Sequence, residues 1–305
     1  MCIRDSCTGC PNNPKAIRDY DGVELRLTKT TSKGWAGMFA YTWSRLWGNY
    51  TGLSTTDQID GGQTGRASPN TTRAFDEPFY YFNYKGQSNA GLLPTDRPNT
   101  FKGNVYYTRP WKLGTTTLGL FQVAYQGSPV STAMEVGGPY AGYTSPFEDT
   151  YIYGHGQWAN FSQDPTTGDV TIGNPYTRRT PWFTQSDLNF GHAFKVNKNN
   201  ERQILSFQAT LTNLLNQRAV VSYWETANSY WSGNYSAVVP NGVTLRGPGA
   251  AFYQAAETGY NVNAGLAGLN SNAVGANGFV LASDYGTPEI WQQSRRIRLG
   301  VKFSF

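Results

Sequence analysis

The chain has 305 residues, a formal net charge of +5, 39% hydrophobic and 15% aromatic residues, 34 Gly, 20 Tyr and 9 Trp, and a mean hydropathy of −0.50. That length admits one large or two medium domains, and a charge this mild and dispersed contains no basic block of the kind that binds nucleic acid. No apolar run reaches the roughly 18 residues of a membrane helix, which leaves open a β-barrel, whose strands average out as polar.

The three cysteines, Cys2, Cys7 and Cys10, fall in the first ten residues. With no second Cys pair and with His155 and His192 far away in sequence, a local disulfide or a non-native leader outweighs a zinc or redox site. The opening MCIRDS has no apolar core and is no secretory signal. Residues 1–19 are therefore expected to be an irregular or non-native leader, and 20–305 the structured part.

Strand signal begins at Tyr20–Lys29, where Val23, Leu25 and Leu27 alternate with Glu24, Arg26 and Thr28. A polar turn, Thr30–Gly34, leads to a second run from Trp35 to about Trp47, with Trp35, Phe39, Tyr41 and Trp43 on one face. A Gly/Thr/Asn-rich segment of roughly 50 residues, 48–97, is too long for an ordinary connection. Pro98–Arg109 and Thr115–Gln126 then read as a second strand pair around a turn at Pro110–Gly114. After a second long segment, 127–179, a third pair follows, Trp182–Val196 and Arg202–Asn213, joined by the polar turn Asn197–Asn200. A third long segment, 214–287, precedes the closing stretch Glu289–Phe305, in which Ile297, Leu299, Val301, Phe303 and Phe305 alternate with Arg296, Arg298, Gly300, Lys302 and Ser304.

The predicted fold is an all-β, antiparallel up-and-down meander of about seven or eight long strands. Short and long connections alternate, and antiparallel strands place successive connections at opposite ends. All short turns then lie on one side and all long loops on the other, the pattern of an outer-membrane barrel. An Arg or Lys facing lipid at the bilayer midplane costs about 2 to 4 kcal/mol. Arg26, Lys102, Arg296, Arg298 and Lys302 all fall on the non-aromatic face of their strands, which is therefore expected to face the lumen. Trp35 and Trp43 share the other face, separated by roughly 20 Å of membrane height, and Trp291 with Phe303 is expected to repeat the pattern on the last strand. Such pairs match two aromatic girdles.

Catalytic constellations are poor. His155, in a Gly-rich loop, and His192, near a strand end on the lipid face, have no neighbouring nucleophile, and a structural role is expected for both. The acidic pairs Asp76-Glu77 and Glu148-Asp149 lack calcium-loop spacing, so neither a metal nor a cofactor is expected. The long segments are rich in aromatics, among them Tyr80, Tyr81, Tyr84, Trp158, Tyr223, Trp224, Tyr230 and Trp231. These are candidate stacking platforms for an extracellular ligand, set against self-packing of the loops through the same rings.

Five stretches, Glu24–Tyr50, Asp96–Trp111, Arg179–Val196, Leu205–Gln217 and Arg295–Phe305, resemble in order and spacing the carboxy-terminal barrel of TonB-dependent outer-membrane receptors, in particular the Oar-like group. The resemblance covers the strands from about Tyr20 to Phe305 and little of the long loops. It implies a plugged barrel of about 22 strands in the cell outer membrane, energised import through TonB, and contact with outer-membrane lipid. It also implies folding by the barrel assembly machinery, which would read Leu299, Val301, Phe303 and Phe305 as a terminal signal. Asn213-Leu214-Leu215-Asn216 departs mildly, having Leu where many relatives have Phe. On this reading the chain is a carboxy-terminal barrel segment without plug or TonB-contact region, and its two open strand edges should prevent it from inserting alone. A soluble β-rich carbohydrate-binding module is the alternative from another class.

Overall fold

The computed structural model describes residues 17–49, 90–136, 148–167, 170–197, 200–227 and 281–305. Seven long strands dominate it: β1 (Arg18–Ser32), β2 (Trp35–Gly48), β3 (Asn99–Trp111), β4 (Gly114–Tyr125), β5 (Phe183–Asn197), β6 (Asn200–Thr212) and β7 (Arg296–Ser304). They pair in sequence order, each antiparallel to the next, and β1 and β7 form the two edges of the sheet. The predicted meander is thus observed, with strand ends within a few residues of those expected.

Local chemistry explains the short turns. Lys33 and Gly34 both have positive φ, 51° and 83°, the two-residue turn whose twist matches that of a β-hairpin. The β3–β4 turn is tighter than expected, because Pro110 and Trp111 remain in the strand and only Lys112 and Leu113 lie outside it. Thr108 donates its N–H to the carbonyl of Gly34, in the turn just before β2, and Pro110, two residues on, points the same way past the end of β2. No ladder donor is needed there, so proline is tolerated.

Register assigns every side chain to a face. Arg26 lies opposite Ala40, Ala40 opposite Lys102, Lys102 opposite Val123 and Val123 opposite Gln185. Two residues along β5 at a time, the same row leads to Asn189, then Thr210 and Arg298. Arg26, Lys102, Arg296, Arg298 and Lys302 therefore share one face of the sheet. The opposite face carries Leu25, Phe39, Val105, Leu120, Phe207 and Leu299, all exposed. Rings bound this apolar band at both ends. Trp35 and Tyr107 lie 4.5 Å apart, with Trp111, at the short-turn end; Trp43, Trp47 and Trp182 lie at the other.

The buried core lies elsewhere. Among the described residues the long segments form four two-stranded ribbons, and Gly91–Leu92 adds to the end of β2. Val130, Ala133, Tyr153, Trp158, Ala159, Val220 and Ala227 are buried among these segments. Among the described residues, a long sheet with exposed apolar side chains along one face, next to a small packed cap, is the reverse of a sandwich whose core lies between its sheets.

The closing stretch also differs from expectation. Pro288–Trp291 pairs with Val220–Tyr223 in a separate ribbon, so Trp291 and Phe303 do not share a strand. The break is caused by Gln292, which is buried; its N–H donates to the Ala219 carbonyl and its Nε2 to the Thr184 carbonyl, turning the backbone out of the ladder.

Candidate functional site

The cap is assembled from the second and third long segments. The Ala133 N–H donates to the Glu225 carbonyl and the Ala227 N–H to the Ala133 carbonyl, which binds the two segments together. Beside this junction Tyr285 donates its hydroxyl to the Ala159 carbonyl at 2.6 Å and meets Thr132 Oγ1 at 3.0 Å. Burial, reinforced by the negative charge of Glu225, pushes the Tyr285 phenol far above its ordinary range, so it is neutral at all physiological pH.

Rings and a guanidinium stack on this base. Trp158 lies nearly parallel to Tyr285, centroids 4.4 Å apart, and its Nε1 donates to Asn160 Oδ1 at 3.1 Å. The Arg178 guanidinium carbon lies 4.2 Å from the centroid of Trp158 and 4.3 Å from that of Tyr223, bridging the two rings. Gly286, at φ 78°, completes the wall: a Cβ there would lie 3.0 Å from Trp158 Cζ2. A cleft of about 690 Å³ opens beside the stack, lined by Phe161, Tyr176, Arg178 and Ser283 together with Trp158 and Tyr285.

The first long segment is held to this cap at two points. His155, in the left-handed conformation at φ 62°, contacts the Leu92 carbonyl through Nδ1 at 3.0 Å and stacks over Trp47. Asp96, buried, pairs with Arg179, and the Gly127 carbonyl accepts a second bond from the same guanidinium. His192 meets Thr116 Oγ1 at 2.7 Å, beside Trp111, at the short-turn end of the apolar face. Both histidines are thus placed in packing contacts.

The aromatic candidates fare differently from one another. Tyr80, Tyr81, Tyr84, Tyr230 and Trp231 lie outside the described residues, as do Cys2, Cys7 and Cys10. Trp158 is 1% exposed, its ring stacked in the cap between Tyr285 and Arg178. Tyr223 is half-buried against Arg178, and Trp224 remains exposed. Leu299, Val301, Phe303 and Phe305 are all exposed on the β7 edge. Arg178, Tyr176, Phe161 and Tyr285 were not singled out by sequence; the Arg178-Arg179 doublet, standing where a long segment rejoins a strand, was the available signal. Among the described residues no group of three or more His, Cys, Asp or Glu side chains could hold a metal.

The chain is 28% identical over 207 residues to the TonB-dependent transporter Oar of Myxococcus xanthus, an alignment covering 68% of this chain and 16% of that protein. The chain thus spans about a sixth of the length of that relative. No protein-family model matches the chain, and no solved structure does. The likeness is distant and partial, and it is to a TonB-dependent transporter.

Proposed function

We propose that the chain forms part of the barrel wall of a TonB-dependent transporter in the outer membrane of a Gram-negative cell, and that it carries out no chemical step. The observation that carries this reading is the two-faced sheet. One face presents an apolar band bounded by aromatic rings and broken by the hydrogen-bonded pair Gln122 and Ser186, and the other holds Arg26, Lys102, Arg296, Arg298 and Lys302. Lipid covers the first and the aqueous lumen wets the second. Strands of 12 to 15 residues in β1–β6 span about 30 to 38 Å at a tilt near 40°.

The open edges at β1 and β7 pair with further strands of the same barrel, since unpaired N–H and C=O groups in hydrocarbon cost several kcal/mol each. The three long segments, at one end of the sheet, face outward and meet the ligand; the short turns face the periplasm. TonB supplies energy through the periplasmic side, and the barrel assembly machinery engages the apolar face of β7 at Leu299, Val301, Phe303 and Phe305. The distant likeness to the Myxococcus xanthus transporter supports the same reading.

Fractionation of the expressing host tests it. The protein should sediment with the outer membrane and run at a different apparent size in gels with and without boiling. Recovery in the soluble fraction without detergent would overturn the reading.

A further inference from the structure

We propose that the cap cleft binds a carboxylate carried on a sugar ring, with Arg178 as the carboxylate anchor and Tyr176 as the ring platform. This names a ligand class for the outward-facing segments and so rests on the barrel reading above.

Arg178 is a cation held in place between two rings. Its planar faces are taken by Trp158 and Tyr223, so its N–H donors are available only along the edge of the guanidinium. Among the described residues that edge meets no hydrogen-bond acceptor and no carboxylate, although the side chain is half-buried. A partly desolvated guanidinium without an anion is unfavourable, and its in-plane fork matches a carboxylate through two parallel hydrogen bonds. The described lining of the cleft contains Arg178 and no other charged residue; the nearby Glu225 carboxylate acts on Tyr285 from outside that lining.

The rest of the cleft fits a sugar. Tyr176 precedes Arg178 by two residues in extended chain and is 47% exposed at the lip. Alternation puts both side chains on one side, about 6 to 7 Å apart, roughly the span from the face of a six-membered ring to its exocyclic carboxylate. Because Asn160 Oδ1 accepts from Trp158, its amide N–H groups remain for hydroxyls, and Ser283 adds a second polar group. An aromatic face beside a few uncharged polar groups suits a ring bearing hydroxyls.

The test measures binding to the whole transporter that contains this chain, in detergent micelles, by tryptophan fluorescence and calorimetry. The probes are a galacturonate trimer, the neutral galactose trimer and acetate. Galacturonate should bind and weaken with added salt, and each of the other two should bind at least tenfold more weakly. Arg178→Lys keeps the charge but loses the fork, and should weaken galacturonate binding about tenfold, the loss of one hydrogen bond to a charged group. Tyr176→Ala, at the exposed lip, should weaken it comparably with an unchanged near-ultraviolet dichroism spectrum. Equal binding of galactose, equal binding of acetate, indifference to Arg178→Lys, or no binding of galacturonate would each overturn the proposal. A protein that sediments with the outer membrane yet ignores galacturonate would overturn this inference alone.

Discussion

Arg179 and Asp96 join two long segments that are far apart in sequence: Arg179 Nη2 lies 2.5 Å from Asp96 Oδ2, and Arg179 Nη1 donates to the Asp96 carbonyl at 3.1 Å. Asp96 Oδ1 accepts the Leu46 N–H at 2.7 Å, so one carboxylate fixes the end of β2 and the approach to β5 together. The Asp96 side chain is fully buried. Arg179→Ala should therefore cost about 3 kcal/mol by leaving a buried carboxylate unpaired. Limited proteolysis should show earlier cleavage near Gly127, whose carbonyl loses the same guanidinium.

Asn213 occupies a second junction. It is buried at φ 54°, its Nδ2 donates to the carbonyls of Gln217 and Gln293, and its Oδ1 accepts the Gln217 N–H. Asn213→Ala removes all three bonds and places a Cβ-bearing residue without a local partner in the left-handed region, a loss of about 2 to 4 kcal/mol. Asn213→Asp keeps the acceptor but turns a buried carboxylate toward the Gln217 and Gln293 carbonyls, and should be no more stable than Asn213→Ala. The midpoint of denaturant unfolding in micelles checks both.

Neighbouring residues of β3 should respond oppositely to the same change. Val105 lies on the apolar face, and Asn104, opposite Met38 and Phe121, lies on the face that holds Lys102. Val105→Lys should reduce the folded population in membranes, at about 2 to 4 kcal/mol for a cation near the midplane. Asn104→Lys should leave it close to wild type. Heat-modifiable band intensity in outer-membrane preparations reads the difference.

Tyr285 should make the cap sensitive to alkali. Its folded pKa is raised above the unfolded value, so folding favours the protonated phenol. That stability is fully present below about pH 10, the ordinary tyrosine value, and is lost as pH rises above it. Tyr285→Phe should be less stable at neutral pH, because it loses the bonds to Ala159 and Thr132, and should show a shallower loss above pH 10. Unfolding midpoints at pH 8 and pH 11 for both proteins provide the comparison.

The sheet was legible because one period governs it. From Arg296 to Ser304 each residue belongs to one of two faces, and among the described residues neither face of this strand has a second layer to override the alternation. The cap was much less legible. Trp158 and Trp224 read alike in an aromatic-rich segment, yet one is buried against Tyr285 and the other is exposed. What separates them is pairing between segments distant in sequence, such as Ala159 with Tyr285, which no local period records. Trp291 misled for the same reason: the bonds of Gln292 to Ala219 and Thr184 break a strand that its neighbours would continue.

Single cysteines along β6 measure the two-faced wall most directly. With Cys2, Cys7 and Cys10 replaced by Ser, cysteines are placed one at a time from Ser206 to Leu211 in the protein expressed in its host membrane. Ser206, Gln208 and Thr210 share the face of Arg298 and Lys302; Phe207, Ala209 and Leu211 share that of Leu299 and Val301. A water-soluble maleimide should label the first three and spare the second three, with a lipid-soluble reagent giving the opposite pattern. Equal labelling of all six by the water-soluble reagent, or a reversed phase, would contradict a sheet that separates lipid from lumen.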